Sequence, residues 1–376
     1  MITVIWIDWY AYHIARLRAL TEHALLRGEV CGIEMVGGCG VHGSINFRSE
    51  DRENLPVTTL LPAANWRDTS QRKLSVQVWR KLREVNPSLL LVPGYYNFPS
   101  LAAALWAKLH GRRTVLMSES TRPDHKRVWY KEMIKRALVG LLFDSAIAGG
   151  KRQVRYLREL GFKPEAIARS YDVVDNEFYA AAVRRARVHI NPRDLGLPER
   201  YFLFAGRLAP EKNVHGLLRS FAQYSATGGT WSLVIAGEGL MRQKLCEQVQ
   251  RARIAERVQF VGLKDSHELA TLYAFAGCFV LPSVREPWGL VVNEAMASGL
   301  PVIVSDRCGC ADDLVEHGAN GLIFDPARED ELTARLHRVS SLDDEALARM
   351  GERSKQIIAR YSLETWASEV ARLVAT

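Results

Sequence analysis

One stretch, Phe279 to Asp306, constrains the fold more than any other part of this sequence. It reads FVLPSVREPWGLVVNEAMASGLPVIVSD: an apolar run, a polar turn, a helical segment and a second apolar run. Such short apolar runs bounded by turn residues predict buried strands. Proline at position 287 suits the first turn of a helix, because its missing N–H would have no intrahelical partner there. We therefore predict a βαβ unit whose helix begins near Pro287.

The turn of this unit predicts an anion site. Backbone N–H groups of Trp288, Gly289 and Leu290 would point outward from the first helical turn and attract negative charge. Glu286 and Glu294 are eight residues apart, about two helical turns, so a helix from Pro287 would place both carboxylates on one face.

These residues resemble the signature of the family 4 retaining glycosyltransferases, whose fold is the two-domain GT-B architecture. Glu286 and Glu294 carry the resemblance within EPWGLVVNEAMASGLPVIVSD. Three upstream segments appear in the family's order: a donor-phosphate loop at 205–213, a strand and turn at 233–239, and a strand at 258–263. The likeness covers roughly the C-terminal half of the chain.

The resemblance implies a nucleotide-diphosphate sugar as the donor and assigns roles to residues. Arg207 and Lys212 would bind the diphosphate and stabilise charge on the leaving oxygen, each charge-assisted hydrogen bond contributing about 1.5 to 3 kcal/mol. Glu286 would lie near the hydroxyls of the donor sugar, and Glu294 would accept hydrogen bonds from the ribose. The remaining donor contacts would come from Gly206, Leu263, Trp288, Gly289 and Leu290.

Two departures from the family pattern concern the first half of the chain. Where relatives often place a histidine beside the donor sugar, this chain reads MSEST, and Glu119 is the candidate for that position. Where many relatives have a glycine-rich loop after the first strand, Asp8, Trp9 and Tyr10 follow instead. Aromatic rings at a strand end can stack on sugars, so we predict an acceptor site there. Core packing is the alternative for both rings.

Strands and helices alternate in both halves, which predicts an α/β protein of two Rossmann-like, doubly wound domains that face each other across a cleft, the GT-B fold. We predict an acceptor-binding domain at 1–180, a linker at 181–197 and a nucleotide-sugar-binding domain at 198–358. The final segment, 359–376, predicts a helix, and the resemblance implies that it packs back toward the first domain.

Composition narrows the class of protein. A chain of 376 residues with 48% hydrophobic and 24% charged residues is typical of a soluble globular protein. No apolar run reaches membrane-spanning length and the first residues do not resemble a signal peptide, so we expect a cytoplasmic protein. The six cysteines lack metal-site spacing and predict reduced thiols. No Asp-x-Asp ends a predicted strand, so we expect neither a cofactor nor a metal.

The net charge of +8 allows three interpretations: a nucleic-acid surface, an anionic membrane surface, or pockets for anionic substrates. No zinc-finger, RNP or recognition-helix motif supports nucleic acid as a partner. Arg122 to Arg136 contains six Lys or Arg residues interleaved with aromatic and apolar ones. This segment predicts either contact with the inner face of an anionic membrane or an ordinary solvated helix face.

These features predict a retaining, metal-independent glycosyltransferase. Its acceptor would be a hydroxyl of a carbohydrate or glycolipid, in cell-envelope polysaccharide or lipopolysaccharide biosynthesis. A nucleotide-sugar epimerase or hydrolase of the same fold is the alternative. An NAD-dependent oxidoreductase would need Gly-x-Gly-x-x-Gly after the first strand, which this sequence lacks.

Overall fold

The computed structural model of the protein divides into two compact units, Met1–Val174 with Tyr361–Thr376 and Asp175–Arg360. The structure describes residues 1–26, 28–38, 54–122 and 128–375. Part of the basic segment at 122–136 lies outside these residues. Within them, no helix is both long and apolar enough to cross a lipid bilayer.

The first unit alternates strands with helices. Its strands are β1 (Ile2–Trp6), β2 (Val30–Val36), β3 (Val57–Leu61), β4 (Leu89–Pro93), β5 (Arg113–Ser118), β6 (Ser145–Ala148) and β7 (Ile167–Ala168). Its helices are α1 (Ala11–Glu22), α2 (Gln71–Val85), α3 (Phe98–Leu109), α4 (Trp129–Leu142), α5 (Lys151–Glu159) and, from the end of the chain, α14 (Leu363–Ala375). The strands pair in parallel in the order β3-β2-β1-β4-β5-β6-β7. The order reverses between β1 and β4, where loops diverge and leave a crevice.

The second unit repeats this plan. Its strands are β8 (Tyr201–Ala205), β9 (Ser232–Ala236), β10 (Val258–Gly262), β11 (Cys278–Leu281), β12 (Val302–Ser305) and β13 (Gly321–Phe324). Its helices are α6 (Asn176–His189), α7 (Val214–Ala226), α8 (Arg242–Arg251), α9 (Ser266–Phe275), α10 (Leu290–Ala297), α11 (Ala311–Leu314), α12 (Glu329–Ser340) and α13 (Asp344–Ile358). The parallel order β10-β9-β8-β11-β12-β13 reverses between β8 and β11.

The central strands are buried throughout. Every residue of β1, β8 and β11 is buried. Helices cover both faces of a parallel sheet, which is why these strands are continuous apolar runs without polar alternation. The prediction of an α/β protein with two doubly wound sheets is confirmed.

The predicted linker at 181–197 is wrong over its first half, because residues 176–189 form α6. Asp175 caps this helix by accepting a 2.8 Å hydrogen bond from the Phe178 amide. Tyr179, Val183 and Ala186 form a buried stripe at helical spacing, while the arginines that suggested a connection cover the other side. The units divide between Val174 and Asp175, slightly before the predicted boundary at 180.

The last helix, α14, belongs to the first unit. Trp366 is fully buried, and its indole Nε1 donates a 3.1 Å hydrogen bond to the Arg16 carbonyl of α1. Its core neighbours include Ile2 and Val4 of β1.

Candidate functional site

The loops that follow β8 and β11 meet at the point where the strand order of the second sheet reverses. The Val284 amide donates to the carbonyl of Glu211 at 2.9 Å, and the Asn213 side-chain amide donates to the carbonyl of Pro282 at 3.1 Å. Ligands of open α/β sheets bind at this edge, outside the carboxyl ends of the strands. The local fold therefore brings residues 206–213 and 282–289 to one place.

Lys212 and Glu286 form an ion pair across these two loops. The same Glu286 carboxylate oxygen accepts a 3.1 Å hydrogen bond from the Ser283 hydroxyl. Both charged side chains are mostly buried, with 16% of Lys212 and 10% of Glu286 exposed. A partly buried cation is screened less by water, so the ammonium can interact strongly with an anion that reaches it. Ser283 had no assigned role in the sequence prediction.

Arg207 lies near this pair in the loop after β8 but is more exposed. Its guanidinium donates a 2.8 Å hydrogen bond to the carboxylate of Glu211, four residues later, and 45% of the side chain is exposed. Because a guanidinium has five N–H donors, one contact with Glu211 leaves others for a phosphate. The diphosphate-binding role of Arg207 stays a prediction.

Glycine lets the backbone at the ends of β8, β9 and β10 come unusually close. The Gly206 amide donates to Ala236 at 3.0 Å, and the Gly237 amide donates to Gly262 at 2.7 Å. A Cβ at Gly237 would lie 1.9 Å from the Gly206 carbonyl oxygen. Leu263, one of the predicted contacts of the nucleotide-sugar donor, follows Gly262 and is 56% exposed.

The helix predicted from Pro287 begins later, at Leu290. Gly289 precedes it with φ 108°, a left-handed conformation that interrupts the helix before that point. Glu286 therefore lies outside the helix and forms a bridge with Cys308, so the prediction of two glutamates on one helical face is wrong. Trp288 is buried, and its Nε1 donates a 2.9 Å hydrogen bond to Asn293. Any contact of Trp288 with the nucleotide sugar is therefore restricted to its backbone.

Glu294 lies on α10 and is half-buried. Its carboxylate accepts a 3.0 Å hydrogen bond from the Tyr273 hydroxyl of α9 and a further one from Tyr179 of α6. Burial raises the pKa of Glu294 to about 7, although both tyrosines oppose that shift. Burial and the nearby Glu294 raise the pKa of both tyrosines well above the usual value, so both remain protonated donors.

In the first unit, Asp8, Trp9 and Tyr10 follow β1 at the carboxyl edge of its sheet. Trp9 is 1% exposed and packs edge-on against Trp6, with ring centroids 4.9 Å apart. The indole also fills the space above Gly32, where a Cβ would approach to 2.6 Å. A sugar needs an exposed ring face for stacking, so the predicted acceptor role of Trp9 is wrong and the core-packing alternative is correct. Tyr10 is also buried, while Asp8 is half-buried.

Glu119 follows β5 at the same edge and hydrogen-bonds to Asp172. Burial, and then the charge of Glu119, raise the pKa of Asp172 well above its usual value. Arg16 lies 3.8 Å from Asp172 and is stacked between Tyr12 and Tyr171, 4.9 and 4.8 Å from their ring centroids. Sequence reasoning missed this cluster; the one available signal was an arginine on the apolar face of α1.

Among the described residues, no three His, Cys, Asp or Glu side chains are grouped as a metal site would require. The expectation that no metal takes part stays a prediction. The five cysteines that fall within the described ranges are free thiols.

Comparison with known families identifies the second unit. Residues 189–357 match the family described as glycosyl transferases group 1. The match covers 169 of the 376 residues, so it shows what this region of the chain is similar to. Arg207, Lys212, Glu286 and Glu294 all lie within the matched residues, whereas Glu119 and the loop after β1 lie before them. The match agrees with the predicted resemblance to glycosyltransferases over this region, whereas the assignment to the retaining family 4 stays a prediction.

Relatives of the group 1 domain occur in distant organisms. An uncharacterised glycosyltransferase of Methanocaldococcus jannaschii is 32% identical over 175 residues, 46% of this chain and 44% of that protein. A putative colanic acid biosynthesis glycosyltransferase of Salmonella typhimurium is 26% identical over 260 residues, 67% of this chain and 60% of that protein. The chain thus aligns with about half of the length of these relatives.

Solved structures resemble the chain from end to end. The Anabaena protein HepE, crystallised with UDP and glucose, superposes with a TM-score of 0.77 at 19% sequence identity. The match covers 100% of this chain and 99% of HepE. At this identity the likeness establishes the fold, and it agrees with the GT-B architecture predicted from the sequence.

Proposed function

We propose that this protein is a glycosyltransferase that transfers a sugar from a nucleotide-diphosphate sugar to a hydroxyl of a carbohydrate or glycolipid. The observation that carries the proposal is the Lys212–Glu286 pair, which sits at the strand-order reversal of a group 1 domain. A cation held at this edge of the sheet would stabilise the negative charge that develops on a diphosphate leaving group.

Lys212 and Arg207 would hold the diphosphate. Lys212 supplies a mostly buried point charge and Arg207 a planar set of donors. The backbone of Gly206 and the amides that open α10 would add uncharged donors. Negative charge grows on the leaving oxygen as the glycosidic bond breaks. These hydrogen-bond donors therefore stabilise the transition state more than they stabilise the bound nucleotide sugar.

Glu286 would position the donor sugar. Its carboxylate is oriented by Lys212 and Ser283, which leaves its second oxygen as an acceptor for a sugar hydroxyl. Glu294 would accept the two ribose hydroxyls, with Tyr273 and Tyr179 fixing its orientation. Leu263 would contact the base.

The reaction we propose retains the configuration of the sugar. The acceptor hydroxyl would attack from the face that the diphosphate leaves, and a departing phosphate oxygen would take its proton. Lys212, Arg207 and the start of α10 supply the countercharge, so the proposal includes no metal and no cofactor. Glu119 is the residue of the first unit that we propose lies beside the donor sugar, and Asp8 is a proposed acceptor contact.

We also propose a role in cell-envelope polysaccharide or lipopolysaccharide biosynthesis, in the cytoplasm or at the inner face of the membrane. Support comes from the similarity to the Salmonella protein, whose name places it in colanic acid biosynthesis. Because HepE was crystallised with UDP, UDP-sugars are the first donors to test.

The test is a thermal-shift screen of the full chain against UDP, GDP and ADP and their sugars. A ligand at about one hundred times its dissociation constant should add about 2.7 kcal/mol to the free energy of unfolding. Lys212→Ala should abolish the shift, while Arg349→Ala, at an exposed ion pair far along the chain, should keep it. If no nucleotide shifts the wild-type protein, the proposal is wrong. Conversion of a donor without any acceptor would instead indicate an epimerase or hydrolase.

A further inference from the structure

Helix α4 of the first unit presents an apolar face to solvent. Five of its large hydrophobic side chains are exposed, by 47% to 74%. They are Trp129, Tyr130, Met133, Ile134 and Leu141, which we call the α4 face. At 100° per residue they occupy about 140° of the helix surface, one continuous stripe. Ala137 and Gly140, the other residues of that arc, are also exposed.

The opposite side of α4 packs against the core, as the apolar side of an amphipathic helix normally does. Val139 and Leu142 are buried in the core of the first unit. A surface helix normally has one apolar stripe, and its solvent side is polar. Because α4 already buries a stripe, its second apolar stripe is not needed for folding. Large exposed apolar patches mark interaction sites.

Basic residues surround the α4 face. Helices α4 and α5 together contain seven Lys or Arg residues and two Glu residues. The two helices touch where the Tyr156 hydroxyl of α5 donates to Glu132 of α4 at 2.8 Å. Glu132 also pairs with Lys135, and Glu159 pairs with Arg122, so both acids are neutralised locally. The surface around the apolar stripe is therefore positively charged.

This combination matches the chemistry of an anionic bilayer surface. Trp and Tyr side chains prefer the boundary between headgroups and acyl chains, while Met, Ile and Leu enter the apolar layer. Lys131 and Arg136 flank the stripe on its two sides, where their long side chains can reach lipid phosphates. A protein partner would not require so strong a bias toward positive charge.

We propose that the α4 face docks the protein on anionic phospholipid, with α4 lying in the plane of the bilayer surface. This inference rests on the proposed function in one respect: membrane docking would give the enzyme access to a lipid-linked acceptor. Lipid binding can be measured without donor or acceptor, so its failure would leave the proposed sugar transfer untouched.

The experiment is sedimentation of the full chain with vesicles of phosphatidylcholine, with and without phosphatidylglycerol. We expect binding only to the anionic vesicles, and release as salt is added, because each basic residue near the surface contributes about fivefold to partitioning. Lys131→Gln combined with Arg136→Gln should lower the partition coefficient about thirtyfold.

Apolar variants test the stripe itself. Trp129→Ser and Ile134→Ser should each weaken binding about tenfold or more, because each removes a large side chain from the apolar layer. Trp129→Phe should restore most of the binding. The matched control is Val188→Ser on α6, which also truncates an exposed apolar side chain, 75% exposed, but outside the α4 face. All these positions are exposed, so melting temperatures should stay near that of the wild type.

Several outcomes would overturn the proposal. Absence of vesicle binding, equal binding to neutral and anionic vesicles, or an equal loss in Val188→Ser would each do so. Analytical ultracentrifugation without lipid tests whether the protein self-associates. If the wild type self-associates and Trp129→Ser abolishes that association, the α4 face is an interface between copies of this chain and the lipid proposal is wrong.

Discussion

Lys212 and Glu286 form an ion pair that joins the loop after β8 to the loop after β11. The two residues are 74 positions apart in the sequence and meet only because β8 and β11 are neighbours in the sheet. Changing either residue should therefore affect both the stability of this edge of the sheet and its capacity to bind an anion. It is the natural starting point for mutagenesis.

Lys212→Ala should lower kcat about 100- to 1000-fold, the usual cost of losing one preorganised donor to a developing negative charge. It should also lower the free energy of unfolding by about 1 to 3 kcal/mol, because Glu286 stays buried without its cation. Steady-state kinetics and urea denaturation measure the two effects. Arg349→Ala, which breaks an exposed i, i+4 pair with Glu345, is the control and should change neither quantity. Unchanged turnover in Lys212→Ala would contradict the role assigned to Lys212.

Glu294 should make stability depend on pH. Its raised pKa means that the folded protein holds this proton more tightly than the unfolded chain does. Its contribution to the free energy of unfolding is therefore greatest below about pH 4.3, the unfolded pKa, and declines as pH rises to about 7, by at most about 4 kcal/mol. Glu294→Gln should remove this part of the slope. Denaturation from about pH 4 to about pH 8 measures it, with Glu345→Gln as the control. Identical slopes in the wild type and Glu294→Gln would show that the carboxyl is not perturbed.

Gly237→Ala should be severely destabilising. The new Cβ would lie 1.9 Å from the Gly206 carbonyl oxygen, and the residue would keep a φ of 145°. Both the clash and the backbone conformation oppose the substitution, so we expect a loss of more than about 3 kcal/mol. Gly228→Ala is the matched control: φ there is 88° and no atom lies within 4 Å, so only the backbone cost of about 1 to 2 kcal/mol applies. Equal losses in the two variants would show that β8 and β9 are not so close at this edge.

Asp172→Asn should be better tolerated than Asp172→Ala. Burial and Glu119 raise the pKa of Asp172, so its neutral form is favoured, and an amide preserves that shape and polarity. We expect a loss below about 1 kcal/mol for Asn and about 1 to 3 kcal/mol for Ala, because Ala removes the polar side chain that contacts both Arg16 and Glu119. Thermal denaturation distinguishes these outcomes. A large loss in Asp172→Asn would mean that the carboxyl is ionised beside Arg16.

The regular elements of both sheets were predictable from the sequence. Tyr201–Ala205 is an example, because a parallel strand covered on both faces is a continuous apolar run. The start of α10 was not predictable from Pro287, since the left-handed Gly289 delays the helix until Leu290. Helix α6 was missed because its arginines conceal the buried stripe of Tyr179, Val183 and Ala186.

The candidate site was predictable only in part. The motif located Arg207, Lys212, Glu286 and Glu294, because they lie in short segments with a family pattern. It did not reveal that Lys212 binds Glu286, a contact that depends on strand order.

In the first unit, Trp9 was assigned to a sugar because an aromatic residue after a strand gives no sign of which way its ring turns. The partnership of Arg16 with Asp172 was also beyond sequence reasoning, since it joins α1 to the loop after β7, well over a hundred residues later.

Helix α14 has a consequence for how the protein is made. The core around β1 contains Trp366, Val370 and Leu373 beside Ile2 and Val4. The ribosome synthesises β1 before residues 175–360, and these side chains only after them. The second unit has no such dependence, because its residues run without interruption from Asp175 to Arg360. The first unit therefore cannot complete its core until the second unit has been synthesised.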